Sequence, residues 1–195
     1  MAEGEDIDIE IKPSDLVTHN VLAMAEVNRS LDLEKVIKLM KRSEYDQQKF
    51  NCVRVRLPKP RCTVSIFSSG KLQVTGARSP EEGHYALKFI AFRLKKLYGD
   101  NSVIFSGFKI ENLLATFDIG SRMDLHGLSQ DKGLTVTYMP SQFAAAVVRE
   151  VTRGVTVDVF SSGKMNIKGR GSMDNICKGV NMIMPGIAKH MCEEL

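Results

Sequence analysis

Five residues, FSSGK, occur twice in this chain, at 67–71 and again at 160–164. The second copy follows the first by 93 residues, and flanking residues match at the same offset. These matches pair Phe50 with Phe143, Arg56 with Arg149 and Gly76 with Gly169. Similarity at a fixed offset indicates an internal duplication, so the two halves of the chain are expected to fold alike.

The duplication sets the predicted domain organisation. We place repeat 1 at 15–104 and repeat 2 at 105–195. Neither repeat is as long as a typical domain of roughly 100–150 residues, so the two are expected to share one sheet. Residues 1–14 are predicted to be an acidic, disordered tail, because the first ten residues carry five acids and no base. Such a start is the opposite of a secretory signal, which favours an intracellular protein.

Each repeat changes its hydrophobic periodicity in the same order. In repeat 1, apolar and polar residues alternate in three segments joined by turn residues, which predicts an antiparallel meander at 49–57, 61–67 and 72–76. An amphipathic helix follows, in which Ser79 can cap the first turn and Pro80 fits its first position. Repeat 2 repeats this pattern, so an α+β fold is predicted.

One phenylalanine of each predicted meander falls on the polar face of the sheet and not on the core face. In the second strand of repeat 1, alternation places Cys62, Val64 and Ile66 on the core side and Phe67 on the polar side. Phe160 is in the same position in repeat 2. Each Phe could fold under a loop at the strand end, but the repetition favours an interaction surface.

The chain carries a net charge of +4 despite its acidic start, so the remainder is strongly basic. Basic side chains bind phosphates, and short polar side chains reach base edges. Phenylalanine stacks on unpaired bases or wedges between base pairs. A sheet face that combines these residue types predicts a nucleic-acid-binding surface.

Other classes of function are not supported. SSGK lacks the spacing of a phosphate-binding loop in both copies, and no catalytic residues are predicted. The four cysteines form no CxxC pair and do not cluster with histidines, so no metal and no cofactor are expected. No apolar run approaches the roughly 20 residues that span a bilayer, so no membrane is expected as a partner. No small-molecule substrate is expected either, because no catalytic motif is present.

The segments RCTVSIFSSGKLQVTGARS and FKIENLLATFDI strongly resemble the TATA-box-binding protein family, and the resemblance covers residues 15–195. It implies a saddle of two pseudo-symmetric repeats, with one curved ten-stranded antiparallel sheet and four helices on its convex side. The implied function is that of a general transcription initiation factor, monomeric and nuclear, that kinks double-stranded promoter DNA through the minor groove. The implied partners are the A-type and B-type general transcription factors.

The resemblance also implies roles for individual residues. Four phenylalanines correspond to the family's DNA wedges: Phe50, Phe67, Phe143 and Phe160. Polar residues at base-edge positions are Asn20, Asn112, Thr75, Gln73 and Asn166. Basic residues at phosphate-binding positions are Arg56, Lys71, Arg78, Arg149, Lys164 and Lys168.

Several positions depart from the family's pattern. Where the family has apolar residues facing the groove, this chain has Ser65, Gln73, Asp158 and Asn166. We therefore expect kinking to be kept while the preference for a TATA sequence is relaxed or altered. A carboxylate on this face lowers the affinity for DNA unless a neighbour such as Lys168 pairs with it.

A loop that contacts the B-type factor in the family reads YEPELF there and YMPSQF here. The partner-binding residues implied are Tyr138, Met139, Pro140 and Ser141. Both glutamates are replaced, so the usual contact is not assured. Two alternative functions stay open at this point, a platform for single-stranded nucleic acid and a protein-interaction module that competes for transcription partners.

Overall fold

The computed structural model describes residues 9–99 and 102–192. Within these residues the chain forms ten β-strands and four α-helices. The strands are β1 Val17–Val27, β2 Ser43–Glu44, β3 Cys52–Pro58, β4 Arg61–Phe67, β5 Lys71–Ala77, β6 Phe105–Asp118, β7 Thr135–Thr137, β8 Ala146–Glu150, β9 Val155–Val159 and β10 Lys164–Gly169. The helices are α1 Leu33–Leu39, α2 Pro80–Tyr98, α3 Leu125–Gln130 and α4 Met173–Ala188.

The chain divides into two compact units that follow the duplication. The first unit, His19–Asn112, has the strand order β2-β3-β4-β5-β1-β6. The second unit runs from Leu113 onward and includes the start of the chain up to Thr18; its strand order is β6-β10-β9-β8-β7. The long strand β6 contributes its first part to one unit and its second part to the other. The predicted α+β class, with two repeats, ten antiparallel strands and four helices, is confirmed.

In the first unit, the strands bury alternate residues against α2. Val53, Val64 and Val74 are fully buried on the three strands of the meander. Leu87 and Ile90 of α2 are also fully buried. The apolar face of the sheet therefore forms the core with the apolar stripe of the helix, and removal of this surface from water drives the packing.

The second unit repeats this arrangement with different residues. Val157 of β9 and Ile167 of β10 are fully buried, as are Ile176, Val180 and Met184 of α4. Helix α4 contacts β8, β9 and β10. The opposite face of each sheet is left for polar residues, as the alternation predicts.

Each helix begins at a residue that can cap it. The Ser79 Oγ accepts a hydrogen bond from the Glu82 N–H at 3.1 Å, and Pro80 is the first residue of α2, so the cap predicted from sequence is confirmed. Ser172 caps α4 in the same way. The two short helices α1 and α3 are capped by aspartates, Asp32 and Asp124.

The start of the chain corrects one expectation. Residues 1–8 of the predicted tail lie outside the described residues. Ile11, however, is only 2% exposed. Its N–H donates to Asn181 Oδ1 at 2.9 Å, and its carbonyl oxygen accepts from Asn181 Nδ2 at 3.0 Å. An apolar side chain and a paired amide fix this segment to α4, so the ordered chain begins before residue 15.

Candidate nucleic-acid interface

The FSSGK motif forms a tight turn between two strands in each repeat. The N–H of Gly70 donates to the Phe67 carbonyl at 3.0 Å, and the N–H of Gly163 donates to the Phe160 carbonyl at 2.9 Å. Both glycines have positive φ, 91° and 87°. A Cβ at Gly70 would collide with two backbone carbonyl oxygens. The turn therefore requires glycine and places a Phe at the end of one strand and a Lys at the start of the next.

The register of repeat 1 aligns polar residues across the open face of the sheet. One row crosses β3, β4, β5 and β1 and consists of Arg54, Ser65, Gln73 and Met24. The next row consists of Arg56, Thr63 and Thr75. All seven side chains are exposed or half-buried, so this face can contact a ligand along its width.

The two predicted wedge residues of repeat 1 are in different local settings. Phe67 is the last residue of β4 and is half-buried, and Phe50 is 37% exposed in the loop before β3. The Phe50 N–H donates to the Asp46 carbonyl at 2.7 Å, which fixes the loop. The Arg54 guanidinium lies 4.7 Å from the centre of the Phe50 ring, so a cation–π contact orients both side chains.

Repeat 2 places its two phenylalanines in direct contact. The rings of Phe143 and Phe160 lie 6.0 Å apart, centre to centre, at an interplanar angle of 72°. This edge-to-face arrangement is favourable for aromatic rings. Phe143 is nevertheless 45% exposed, and its N–H donates to the Met139 carbonyl at 3.0 Å. The loop geometry before each exposed Phe is thus the same in both repeats.

The predicted phosphate-binding residues differ in how freely they can bind an anion. Lys71 and Lys164 are exposed at the first positions of β5 and β10. Arg56 Nη2 lies 3.4 Å from the Glu44 carboxylate, and Arg149 donates to Thr137 Oγ1 at 3.0 Å. Arg78 is exposed just after β5.

Lys168 forms an ion pair with Asp158. Its Nζ lies 2.6 Å from Asp158 Oδ2, and Asp158 is only 2% exposed. The row to which Asp158 belongs consists of Val147, Asp158, Asn166 and Thr116. The pair neutralises its own charge, so in the free protein Lys168 does not present a full positive charge to a phosphate.

The predicted base-edge residues lie on the open faces. Asn20 Oδ1 accepts a hydrogen bond from the Gly76 N–H at 2.7 Å, which leaves the NH2 group as the other hydrogen-bonding end of the amide. An amide donor suits the acceptors on the floor of an A·T minor groove. Asn112 is exposed in β6, and Gln73, Thr75 and Asn166 are half-buried.

A sequence model described as "Transcription factor TFIID (or TATA-binding protein, TBP)" matches residues 15–97 and 107–190. This chain belongs to the TATA-box-binding protein family. Members of this family are transcription initiation factors and not enzymes, and this chain is a factor of that type.

Relatives and solved structures agree with this assignment. The TATA-box-binding protein of Archaeoglobus fulgidus is 32% identical over 165 residues, which cover 84% of this chain and 90% of that protein. The TATA-box-binding protein of Spodoptera frugiperda is 31% identical over 166 residues, which cover 85% of this chain. The match spans 53% of the length of the Spodoptera protein. The solved structure of Methanococcus jannaschii TBP superposes with a TM-score of 0.77 at 31% sequence identity. The match covers 90% of this chain and 99% of the Methanococcus chain.

Arg54 was not among the predicted site residues, although it lies on the open face of repeat 1. Arg54 lies in the same row as Ser65 and Gln73 and also approaches Glu44, with Nη1 3.8 Å from Oε1. Its counterpart in repeat 2 is the apolar Val147. The alternation of Arg54 with two core valines was the signal that could have identified it.

The loop predicted to contact a B-type factor, Tyr138 to Ser141, is largely exposed in this TBP-family member. It follows β7, and Met139 is 50% exposed in it. Pro140 and Ser141 are exposed as well, whereas Tyr138 is half-buried. The loop thus presents an apolar and a hydroxyl side chain where the family presents two acids.

Cys62 is a buried free cysteine. Burial, together with the nearby charge of Glu82, raises the pKa of the Cys62 thiol to about 11, so this cysteine stays protonated near neutral pH. Among residues 9–99 and 102–192, no group of three or more His, Cys, Asp or Glu side chains could hold a metal ion. In the same part of the chain, no helix is long and apolar enough to cross a membrane.

Proposed function

We propose that this protein binds double-stranded promoter DNA through the minor groove, kinks it by inserting phenylalanines, and thereby nucleates assembly of a transcription initiation complex. One observation carries the proposal: each repeat has a partly exposed Phe in the loop before one strand and a second Phe at its FSSGK turn, and in repeat 2 these two rings are in contact. In repeat 2, Phe143 is 45% exposed although it contacts Phe160. Exposed aromatic side chains at these positions are available to enter a base step.

The energetics favour a bent duplex. Unstacking a base step costs about a few kcal/mol, which further contacts with the bent DNA offset. Lys71 and Lys164 are exposed next to the wedge positions and can contact the phosphates that flank a kinked step. The wedge and the phosphate contacts therefore support one another in each repeat.

The polar rows support a relaxed or altered sequence preference. Ser65 and Gln73 in repeat 1, and Asp158 and Asn166 in repeat 2, add hydrogen-bonding groups that an A·T floor of acceptors satisfies only in part. A selection from randomised duplexes tests this, and we expect a degenerate or shifted consensus. Recovery of a sharp TATA consensus would refute the relaxed preference.

The proposed partners follow from the family. The A-type and B-type general transcription factors would bind the protein on promoter DNA in the nucleus. For the B-type factor, the exposed Met139 and Ser141 replace the acids of the family's loop, so we expect a weakened contact or one of different chemistry. Restoring the family's residues with Met139→Glu and Ser141→Glu should strengthen binding in a DNA-dependent pull-down, and an unchanged affinity would contradict this assignment.

Affinity measurements at low salt test the DNA-binding proposal. We expect tight binding to a duplex, weaker binding to either single strand, and a loss of at least about tenfold in duplex affinity for Phe143→Ala with Phe160→Ala. Phe92→Ala is the matched control, because Phe92 is 54% exposed on α2 and lies outside the sheet. Preference for single strands, or no duplex binding at low salt, would instead favour the two alternative functions.

A further inference from the structure

Repeat 2 carries one carboxylate within the row that crosses its open face. The register places Asp158 between Val147 of β8 and Asn166 of β10. A buried charge is unfavourable unless it is paired. The pair with Lys168, at 2.6 Å, supplies one partner and involves one carboxylate oxygen, Oδ2.

The other oxygen of the same carboxylate has no partner. No hydrogen-bond donor within residues 9–99 and 102–192 reaches Asp158 Oδ1, and this atom is buried. Buried polar atoms in folded proteins nearly always have a partner, so an exception requires an explanation. A carboxylate oxygen accepts hydrogen bonds and has no hydrogen to give. A water molecule or a donor on a ligand can satisfy it.

The two kinds of base pair differ in what they offer to this atom. On the floor of the minor groove, an A·T pair presents only acceptors, whereas a G·C pair adds the N2 amino group of guanine, which is a donor. An acceptor such as Asp158 Oδ1 is repelled by the first floor and satisfied by the second. The positive charge of Lys168, 2.6 Å from Oδ2, offsets the negative potential that the carboxylate meets in the groove.

We propose that Asp158 is a specificity-determining residue that accepts a hydrogen bond from the N2 amino group of a guanine in the half-site bound by repeat 2. This inference rests on the minor-groove function proposed above. Oδ1 is buried in the free protein, so side chains around it must shift for a base edge to reach it, and the Lys168 side chain, 42% exposed and unbranched, is free enough to do so. The counterpart of Asp158 in repeat 1 is Ser65, whose hydroxyl can donate as well as accept, so that half-site does not require guanine.

Inosine provides the direct test, because an I·C pair differs from a G·C pair in the minor groove only by the absent N2 amino group. Each position of a short duplex site is replaced in turn by G·C and by I·C, and the affinities of the wild-type protein are compared. We expect about tenfold tighter binding to G·C than to I·C at one or two positions in one half of the site. Equal affinities for G·C and I·C at every position would overturn the inference while leaving the proposed function intact. Failure to bind any duplex, including the A·T one, would overturn both.

A double variant assigns the effect to the residue. Asp158→Val with Lys168→Met removes both charges together, so no unpaired charge is left behind. We expect it to bind G·C no better than I·C, whereas Ser65→Val in repeat 1 should keep the guanine preference of the wild type. Persistence of that preference in the double variant would contradict the assignment to Asp158. Circular dichroism tests whether each variant is folded. If the double variant does not fold, the inosine scan of the wild type still decides the inference.

Discussion

At the scale of single residues, the two repeats differ in the charge of equivalent side chains on the open faces of their sheets. Ser65 and Thr75 of repeat 1 correspond to Asp158 and Lys168 of repeat 2. The substitutions come as a pair, and their charged groups lie 2.6 Å apart. A lysine that balances an almost completely buried carboxylate is expected to contribute to stability as well as to the binding surface.

Lys168→Met should therefore destabilise the protein. It leaves the Asp158 carboxylate buried without a counterion, and we expect a loss of about 2 kcal/mol in the free energy of unfolding, measured with urea. The double variant Asp158→Val with Lys168→Met should regain most of this loss, because it removes the buried charge too. Equal stability of the wild type and the single variant would show that the pair contributes nothing.

The glycine of the repeated motif gives a second prediction at this scale. Gly163 has φ of 87°, and a Cβ there would collide with the Ser121 carbonyl oxygen. We expect Gly163→Ala to cost about 3 kcal/mol in urea unfolding, from backbone strain and the collision together. Gly120→Ala is the matched control: φ is 77°, but a Cβ would meet nothing within 4 Å, so only about 1 kcal/mol of strain is expected. Similar losses for the two variants would argue against a close approach at Gly163.

At the scale of elements, hydrogen bonds join the segment after α4 to the two ends of α3. His190 Nε2 lies 3.0 Å from Asp131 Oδ2, and the Asp124 N–H donates to the His190 carbonyl at 2.9 Å. The hydrogen bond with His190, followed by one from the Gly133 N–H, lowers the pKa of Asp131 below its ordinary 3.8. A carboxyl with a lowered folded-state pKa stabilises the fold above its unfolded pKa, and this stabilisation is lost as the pH falls.

The hydrogen bond between Asp131 and His190 predicts part of the acid sensitivity of the protein. Between pH 6 and pH 3 the wild type should lose stability as Asp131 becomes protonated, and Asp131→Asn should lose less over the same interval. The measurement is the shift in urea midpoint between the two pH values. The same shift in both proteins would mean that Asp131 does not contribute to the pH dependence.

Elements were easier to predict from the sequence than contacts between side chains. Alternation gave β4 at 61–67 with its observed bounds, and Ser79 gave the start of α2, because both signals are local in the chain. The hydrogen bonds between the Ile11 backbone and the Asn181 side chain join residues 170 positions apart, which no local pattern reveals. The ion pairs of Glu44 with Arg54 and Arg56 could not be predicted either, because a pair across strands depends on the register of the strands. Alternation placed Asp158 and Lys168 on the same face of neighbouring strands, but their contact also depends on the register.

At the scale of the whole molecule, both repeats are expected to contribute to one DNA-binding activity. Exposed Lys71 and Lys164 are equivalent by the duplication, and each is expected to contact one phosphate. Lys71→Ala and Lys164→Ala should each reduce the slope of log affinity against log salt by about 1, and the double variant by about 2. The same variants should weaken binding to all duplex sequences alike. An unchanged salt slope would exclude these lysines as phosphate contacts.

The most direct test of the central claim measures DNA bending itself. Energy transfer between dyes at the two ends of a short duplex is recorded for TATA-containing and scrambled sequences. The comparison uses the wild type and the variant with Phe67→Ala and Phe160→Ala. We expect the wild type to shorten the end-to-end distance, the variant to leave the duplex nearly straight, and the scrambled sequence to be bent only somewhat less than the TATA sequence. Binding without bending by the wild type, or equal bending by the variant, would contradict the wedge mechanism.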